Sequence, residues 1–487
     1  AQMRQQIWAA TAAGETTQST LIARLIPATS LFPVATRQAL LMHLLAGQTA
    51  GNNTTDNATT LADTGLLLTW YLGQEMPAYA RYWHQRAQLQ RLDTELWQQL
   101  SLALRANDET AIRKILVTDA ERGALDVNDR VTALRRLDHN EQALQLSLDY
   151  IGPDGLTRAN ERSIKRQGAE LYREMPQHAG IGLKISTIGD LDLLNERVWL
   201  TRSTESWTYT FEGGATQFDD SELDADLTDL DRTAYIGSRL SWRQRRGQTG
   251  MQLRYSDANA ADTLSMGLSQ RWLLTRRLGI DAFVSWRDEP TESGELLALG
   301  TRDRLGIGLD WSPTARDTVS ISAAYNSYNT REDENYLGDG YQLEAVASRA
   351  LMTGPTYQLT TRVLATTQQN SPVDSLPDDV AGRLPAGSVG SDVVPDQYSF
   401  VGAGASFSRG LPGSDYPLVA SPRFQLNLDA GYVSPDSSFG VSTSGAVGVS
   451  VIGSDELSLE ASYSQSGTTA ASSSYDIMLK YQYFFGR

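Results

Sequence analysis

Acids are the residues whose types and spacing could do chemistry in this chain. The segment Phe218–Asp231 carries Asp219, Asp220, Glu222, Asp224, Asp226, Asp229 and Asp231 and no base. Its Asp224-x-Asp226 spacing resembles a calcium loop, but the glycine for the sharp turn and the closing Glu are missing. A solvated acidic loop, or a funnel that draws in a cationic partner, needs only the charge. A second acidic stretch, residues 368–396, holds Asp374, Asp378, Asp379, Asp392 and Asp396 against the single base Arg383. Connections this long are usually functional or disordered, so it reads as a plug, a lid over a mouth, or a mobile loop. A third set, Asp281, Asp310, Glu344, Asp429 and Glu460, is spread singly over segments that alternate polar and apolar residues.

Other chemistry finds little footing. There is no cysteine, so thiolate catalysis, disulfides and Cys-type zinc sites are out of reach. The four histidines, His43, His84, His139 and His178, show no ligand spacing such as i, i+4. The glycine-rich stretches Gly402-Ala-Gly-Ala-Ser and Gly445–Ser450 fall within alternating segments, where small residues mark bends in a sheet wall and not phosphate loops. Nothing singles out a catalytic carboxylate pair. No cofactor, metal or enzymatic activity is expected.

The acids are distributed unevenly. The net charge is −16 over 487 residues. Residues 1–178 hold 18 Lys+Arg against 19 Asp+Glu, whereas residues 179–487 hold 24 against 39. That balance argues against nucleic acid and for a cationic or neutral partner of the second half.

Two kinds of element must position these groups. From Gly180 onward the hydrophobic period is two, and sixteen candidate strands can be drawn, many of 9–13 residues. That length suits a tilted crossing of a bilayer. Side chains alternate across a strand, so Trp207, Tyr209 and Phe211 share one face, as do Leu305, Ile307, Leu309 and Trp311. The opposite faces carry Asp281, Asp310, Glu344, Asp429 and Glu460 with Arg239, Arg254, Arg271, Arg287, Arg304 and Arg362. A packed sandwich would exclude such a polar face; a wet lumen accommodates it. Strands at 340–350 and 356–367 leave long connections at 218–231, 288–300, 329–339 and 368–396. All four fall on the parity expected of extracellular loops. The chain ends with Tyr481, Tyr483 and Phe485 on one face, the aromatic ending of outer-membrane barrels. Mean hydropathy is −0.34, and no stretch approaches the length of an apolar spanning helix.

Residues 1–178 read as helices with short turns, for example Leu61–Leu72, Glu95–Ala106, Asp108–Thr118, Asp126–Leu137 and Glu141–Tyr150. Ala78, Ala111 and Ala143 recur 33 and 32 residues apart near the start of a second helix. That length resembles tetratricopeptide repeats, although the family's first-helix positions are mostly unmatched. Ala1-Gln-Met-Arg lacks an apolar signal region, so the sequence reads as a mature or truncated piece. The fold class expected is α + β: a TPR-like helical region, 1–178, followed by an antiparallel transmembrane β-barrel of about 16 strands, 179–487.

Helical repeats leading into such a barrel resemble the exopolysaccharide outer-membrane secretins of Gram-negative bacteria, of the PgaA, BcsC and PelB types, and the PelB type most. The resemblance implies a passive export channel for a partly deacetylated, cationic polysaccharide. It also implies repeats that hold a periplasmic modifying enzyme (a deacetylase or hydrolase) beneath the pore, and a ring of outer-membrane lipoprotein at the entrance. Asp281, Asp310, Glu344, Asp429 and Glu460 would then guide the passenger. A general diffusion porin or receptor, and a surface-presenting assembly or adhesion protein, remain as other classes.

Overall fold

In the computed structural model, alternation at a period of two closes into a wall. The structure describes residues 68–485 except 70, 74–75, 90–93, 151–157, 220–231, 245, 259–260, 276, 355–356, 411, 413–421, 435–436, 453–454 and 466–472. By contacts the chain divides into two units, Ala1–Leu146 and Ser147–Arg487.

Helices of the first unit are α1 (Pro77–Leu89), α2 (Leu96–Ala106), α3 (Glu109–Arg122), α4 (Val127–Arg136) and the start of α5 (Asn140–Asp149). Asp108 and Asp126 cap α3 and α4, their carboxylates accepting from Ala111 N and Asn128 N. Asn107 takes the left-handed conformation that ends α2. Leu96, Leu100, Ala103, Ile112, Ile115, Leu125, Ala133 and Leu137 form one buried cluster. A periodic bond runs through the stack: Arg105 Nη2 donates to Leu72 O at 3.0 Å, and Arg136 Nη2 to Leu104 O at 3.5 Å. Those spans of 33 and 32 residues match the alanine period. The part of the expected helix Leu61–Leu72 before residue 68, and His43, lie outside the described residues.

The second unit opens with α6 (Arg158–Glu174) and continues as sixteen antiparallel strands, each paired to its sequence neighbour: β1 (His178–Ile188), β2 (Leu191–Ser203), β3 (Trp207–Asp219), β4 (Arg232–Gln244), β5 (Gly247–Ala258), β6 (Thr263–Thr275), β7 (Leu278–Asp288), β8 (Gly300–Trp311) and so on through β12 (Gln397–Arg409) to β16 (Ser473–Phe484). β1 also pairs with β16, from His178↔Phe484 to Ile188↔Ser474, so the sheet is a closed barrel with no free edge. Both ends of the barrel chain lie at one rim, with the β1–β2 turn at the other.

The outer face is apolar and exposed: Ile181, Leu183 and Ile185 on β1, Leu305 and Ile307 on β8, Ile477 and Leu479 on β16. Trp207 of β3 stacks on Trp242 of β4 at 5.6 Å near one rim, where Trp272 and Trp311 also lie. Tyr255, Trp286, Tyr325, Tyr432 and Tyr463 lie towards the other. Two aromatic girdles around an apolar band are what a bilayer and its two interfaces select. Among the described residues no helix is long and apolar enough to cross a membrane; the crossing is made by strands. In an outer membrane, the rim that holds both ends of the barrel chain is the periplasmic one, and the β1–β2 rim faces outward.

Two expected connections differ. Residues 329–339 are not a long loop: β9 (Asp317–Thr330) and β10 (Tyr336–Thr353) pair as far as Asn329↔Tyr336, leaving 331–335. β11 (Gln358–Pro372) likewise continues past 367, so the long outer connection begins at 373. Both strands pass the apolar stretch because closed pairing satisfies their backbone beyond the lipid band.

Candidate functional site

The lumen is built from the inward face of each strand. Charges there are mostly paired with one another. Arg271 of β6 (Thr263–Thr275) donates to Asp310 Oδ2 at 2.8 Å and stands 3.7 Å from Asp281. Arg362 grips Asp429 with two bonds, Nε to Oδ1 at 2.6 Å and Nη2 to Oδ2. Lys480 pairs with Glu460, and Lys184 with Asp476 at 2.7 Å. Of the five luminal acids named from sequence, only Glu344 is without a basic partner among the described residues. The excess of acid in the second half is therefore not displayed as an acidic row on the wall.

The outer mouth is crossed by the chain's own connections. The β7–β8 connection carries the short helix α7 (Gly294–Leu299), and the β11–β12 connection carries α8 (Asp378–Ala381) and α9 (Gly390–Val393). Leu296–Leu299, Val380, Val393 and Val394 share one buried apolar cluster with Leu191 and Leu193 of β2, Tyr328 of β9 and Leu337 of β10. In the closed strand order β2 and β10 stand eight strands apart in either direction. The cluster thus spans the mouth from wall to opposite wall. The approach is tight: a Cβ on Gly294 would fall 2.7 Å from Ile188 O and 2.9 Å from Leu191 Cβ, and one on Gly390 would fall 2.0 Å from Val373 O. The two connections are stitched together by Ser293 Oγ, which donates to Val393 O at 2.6 Å. Of the three expected states of residues 368–396, the structure shows an ordered segment folded across the mouth.

A buried polar latch holds this cover to the wall. Glu292 is 5 % exposed and Arg302 of β8 is 7 %. Arg302 Nη1 donates to Glu292 Oε1 at 2.7 Å, and Tyr328 Oη donates to the same oxygen at 3.0 Å. Gln368 Nε2 of β11 donates to Tyr328 Oη at 3.1 Å, and Thr291 N to Glu292 Oε2 at 2.7 Å. Arg331 adds Nη2 to Leu297 O at 2.9 Å and its N–H to Leu299 O at 2.8 Å. A carboxylate so satisfied belongs in a dry site; unpaired, it would be expelled. Sequence reading missed Glu292 because nothing local distinguishes it from the acids around it.

Asp374, Asp378, Asp379, Asp392 and Asp396 decorate the cover; Asn335 Nδ2 donates to Asp379 at 3.3 Å, and Asp396 O accepts from Asn370 N at 2.7 Å. Asp219 ends β3 (Trp207–Asp219), while Asp220, Glu222, Asp224, Asp226, Asp229 and Asp231 lie outside the described residues. Burial pushes the Glu295 carboxyl of α7 above its ordinary value, and Asp190 and Asp392 add to the rise. The packed cover therefore holds a proton more tightly than a displaced one. Its stabilisation is complete below the ordinary carboxylate range and is lost as pH rises through the raised value. Single-channel opening is expected to become rarer as pH falls from above the raised value of Glu295 towards the ordinary carboxylate range, and Glu295→Gln is expected to flatten that dependence.

At the periplasmic rim, the aromatic ending closes the barrel. Tyr481 Oη donates to Asp455 at 2.7 Å. Tyr483 and Phe485 face outward with ring centroids 5.6 Å apart, and Arg202 stacks 5.0 Å over Phe485. Phe484, on the inward face, is 2 % exposed; its ring meets Tyr172 of α6 at 5.6 Å, and Phe485 N donates to Gln177 O at 2.8 Å. Sequence reading named Tyr481, Tyr483 and Phe485 and missed Phe484, whose burial depends on α6.

Residues 173–484 match the family model of the PelB C-terminal beta barrel domain. No curated protein sequence matches the chain. Among solved structures, a bacterial polysaccharide outer membrane secretin aligns at 10% identity and a TM-score of 0.45, over 63% of this chain and 98% of that one. OccK3 (OpdO) of Pseudomonas aeruginosa aligns at 12% identity and a TM-score of 0.30, over 64% and 96%. OmpT of Vibrio cholerae aligns at 7% identity and a TM-score of 0.32, over 64% and 97%.

Proposed function

This chain belongs to the PelB C-terminal β-barrel family, and on that premise we propose that it is a gated outer-membrane channel for export of an exopolysaccharide. The observation that carries this reading is the polar lumen of a sixteen-strand barrel crossed at its outer mouth by a latched cover with an apolar core. Sixteen strands leave room for an aqueous passage, and a cover that reaches from β2 to β10 argues against a diffusion porin that is always open. The channel does no chemistry on its passenger. The helical region, 1–178, would serve as a TPR-like dock for a periplasmic modifying enzyme, and a lipoprotein ring would deliver polymer to the rim.

The acid excess of the strand half supports one sign of passenger. Glu344 offers its carboxylate to the lumen, and the acidic outer connections add to a field that favours a cationic, partly deacetylated polymer. Asp281, Asp310, Asp429 and Glu460 act on it only through their ion pairs. The test is single-channel recording in a planar bilayer with oligomers added on the periplasmic side. Glucosamine oligomers are expected to block, and Glu344→Gln to shorten the blocks several-fold. Large, steady conductance that neither glucosamine nor uronic-acid oligomers interrupt would establish a general porin instead.

A further inference from the structure

The lipid-facing side of the wall breaks its own rule at one place. Glu196 of β2 has the parity of Val198 and Leu200, both exposed on the outer face, whereas Arg197 and Trp199 point into the lumen. An exposed carboxyl group therefore stands among positions that a bilayer selects to be apolar. It is the sixth of the thirteen residues of β2, so it is not a rim group. Its row around the wall runs Leu459↔Leu479, Leu479↔Leu183, Leu183↔Glu196 and Glu196↔Ala215. On β16, Leu479 lies midway between the exposed Tyr475 and Tyr483, which mark the two interfaces and are each four residues away. Four residues span about 13 Å along a strand at about 3.3 Å per residue. Glu196 thus sits near the middle of the hydrocarbon band.

Among the described residues nothing bonds to the Glu196 side chain. Its neighbour Arg197 is turned inward, 3.9 Å from Glu212 and 4.7 Å over the Trp199 ring. Other charged residues on this part of the outer face stand towards strand ends: Asp192 and Arg202 on β2, Asp219 on β3 and Arg232 on β4. Beside Glu196 the wall is hollow. A recess of ≈ 500 Å³ is lined by Glu196 with Ile181, Val198, Gly213, Ala215 and Leu479, among others. Gly213 and Ala215 leave it open because neither carries a side chain beyond Cβ. A carboxyl group in hydrocarbon is costly until a donor meets it.

We propose that Glu196 and this hollow receive a membrane-spanning helix of another protein, apolar except for one basic side chain at mid-depth. The partner's group is basic because a cation meets a carboxylate with the strongest hydrogen bonds available. The partner is a protein, because lipid headgroups stay outside the hydrocarbon core. It is not a second copy of this chain, whose outward-facing bases, among them Arg202, Arg232 and Arg349, stand at the rims. A segment that crosses alone is helical, since its backbone has to pair within itself. Small residues on one side of a contact in the membrane let the other side come close, and Gly213 and Ala215 provide them.

The site lies on the lipid side of the wall, so it is independent of what the lumen conducts. Its test uses the purified full chain in phosphatidylcholine vesicles. Synthetic helices of about 20 Leu and Ala residues would carry Lys, Leu or Glu at the centre and a dansyl group at one end. Energy transfer from the barrel's tryptophans to dansyl reports association. The Lys helix is expected to associate about tenfold more tightly than the Leu helix, and the Glu helix no better than the Leu helix. Glu196→Leu should abolish the preference for Lys, and Glu196→Gln should reduce it. Unheated electrophoretic mobility verifies that both variants keep a closed barrel. Equal association of the Lys and Leu helices with wild type would overturn the docking site, as would a Lys preference that survives in Glu196→Leu. Self-association of the wild-type chain that Glu196→Leu abolishes would overturn the choice of partner in favour of a second copy.

Discussion

Glu292→Ala is expected to turn a channel that rarely opens into one that conducts most of the time. The carboxylate of Glu292 accepts from Arg302, Tyr328 and Thr291, and the contacts to Arg302 and Tyr328 are buried. Removing one partner of a buried pair leaves the other charge stranded, at a cost of about 3–5 kcal/mol. At about 1.4 kcal/mol per factor of ten, a cost of about 3–5 kcal/mol shifts the closed–open balance by roughly two to three and a half orders of magnitude. The barrel itself should survive, because Arg302 keeps its ladder pairing in β8 and gains access to water once the cover lifts. Recording from a planar bilayer decides the matter: conductance identical to wild type would show that the latch does not hold the mouth. Replacing Glu292 by Gln offers the intermediate case, since an amide can still accept from Arg302 and Tyr328. Opening between the two extremes is expected. Deletion of 373–396 should have the same direction of effect, because Val380, Val393 and Val394 contribute to the spanning cluster.

Removal of residues 483–487 is expected to lower the amount of folded barrel in the outer membrane about tenfold or more. The deletion takes away the pairs Ala179↔Tyr483 and His178↔Phe484 that close β16 onto β1. It also removes Asp455↔Tyr483 on the other side of the strand. Phe484 is buried against Tyr172, so its loss opens a cavity at the foot of α6. Truncation of a buried Phe costs about 3–5 kcal/mol, and an unpaired rim in lipid adds several more. Phe484→Ala should reproduce part of the loss, whereas Phe485→Ala removes only a half-buried ring beside Tyr483 and under Arg202. Quantitative immunoblotting of outer-membrane fractions, with and without heating, measures both. Unchanged levels after truncation would mean that closure does not depend on the ending.

Much of the wall was legible in the sequence because its code is local. A strand that meets lipid on one side and water on the other must alternate, and each alternating segment can be recognised without its neighbours. Leu305, Ile307 and Leu309 announced the outer face of β8, and Arg304 and Asp310 its inner face. The aromatic ending and the approximate strand number came the same way. The helical period of 32 and 33 residues was visible in Ala78, Ala111 and Ala143, and it reappears as the Arg105 and Arg136 bonds.

What tertiary structure alone decided is which groups meet. Charge counting gave the second half an excess of acid with arginines on the same inward faces, but not who pairs with whom; closure of the cylinder sets Arg271 beside Asp281 and Asp310 and Arg362 upon Asp429, leaving Glu344 without a basic partner among the described residues. No local pattern marks Glu292 as the buried member of its acidic neighbourhood, because its partners Arg302 and Tyr328 come from two different strands, and Gln368, which donates to Tyr328, comes from a third. Residues 329–339 look like a loop by composition, but pairing to β9 makes most of them strand. Nor does composition say that a segment rich in Pro, Gly and Asp will lie across a mouth against Leu191 and Leu337. Alternation is dictated by each residue's own solvent, whereas ion pairing, register and the seating of a loop depend on partners that only barrel closure brings within reach.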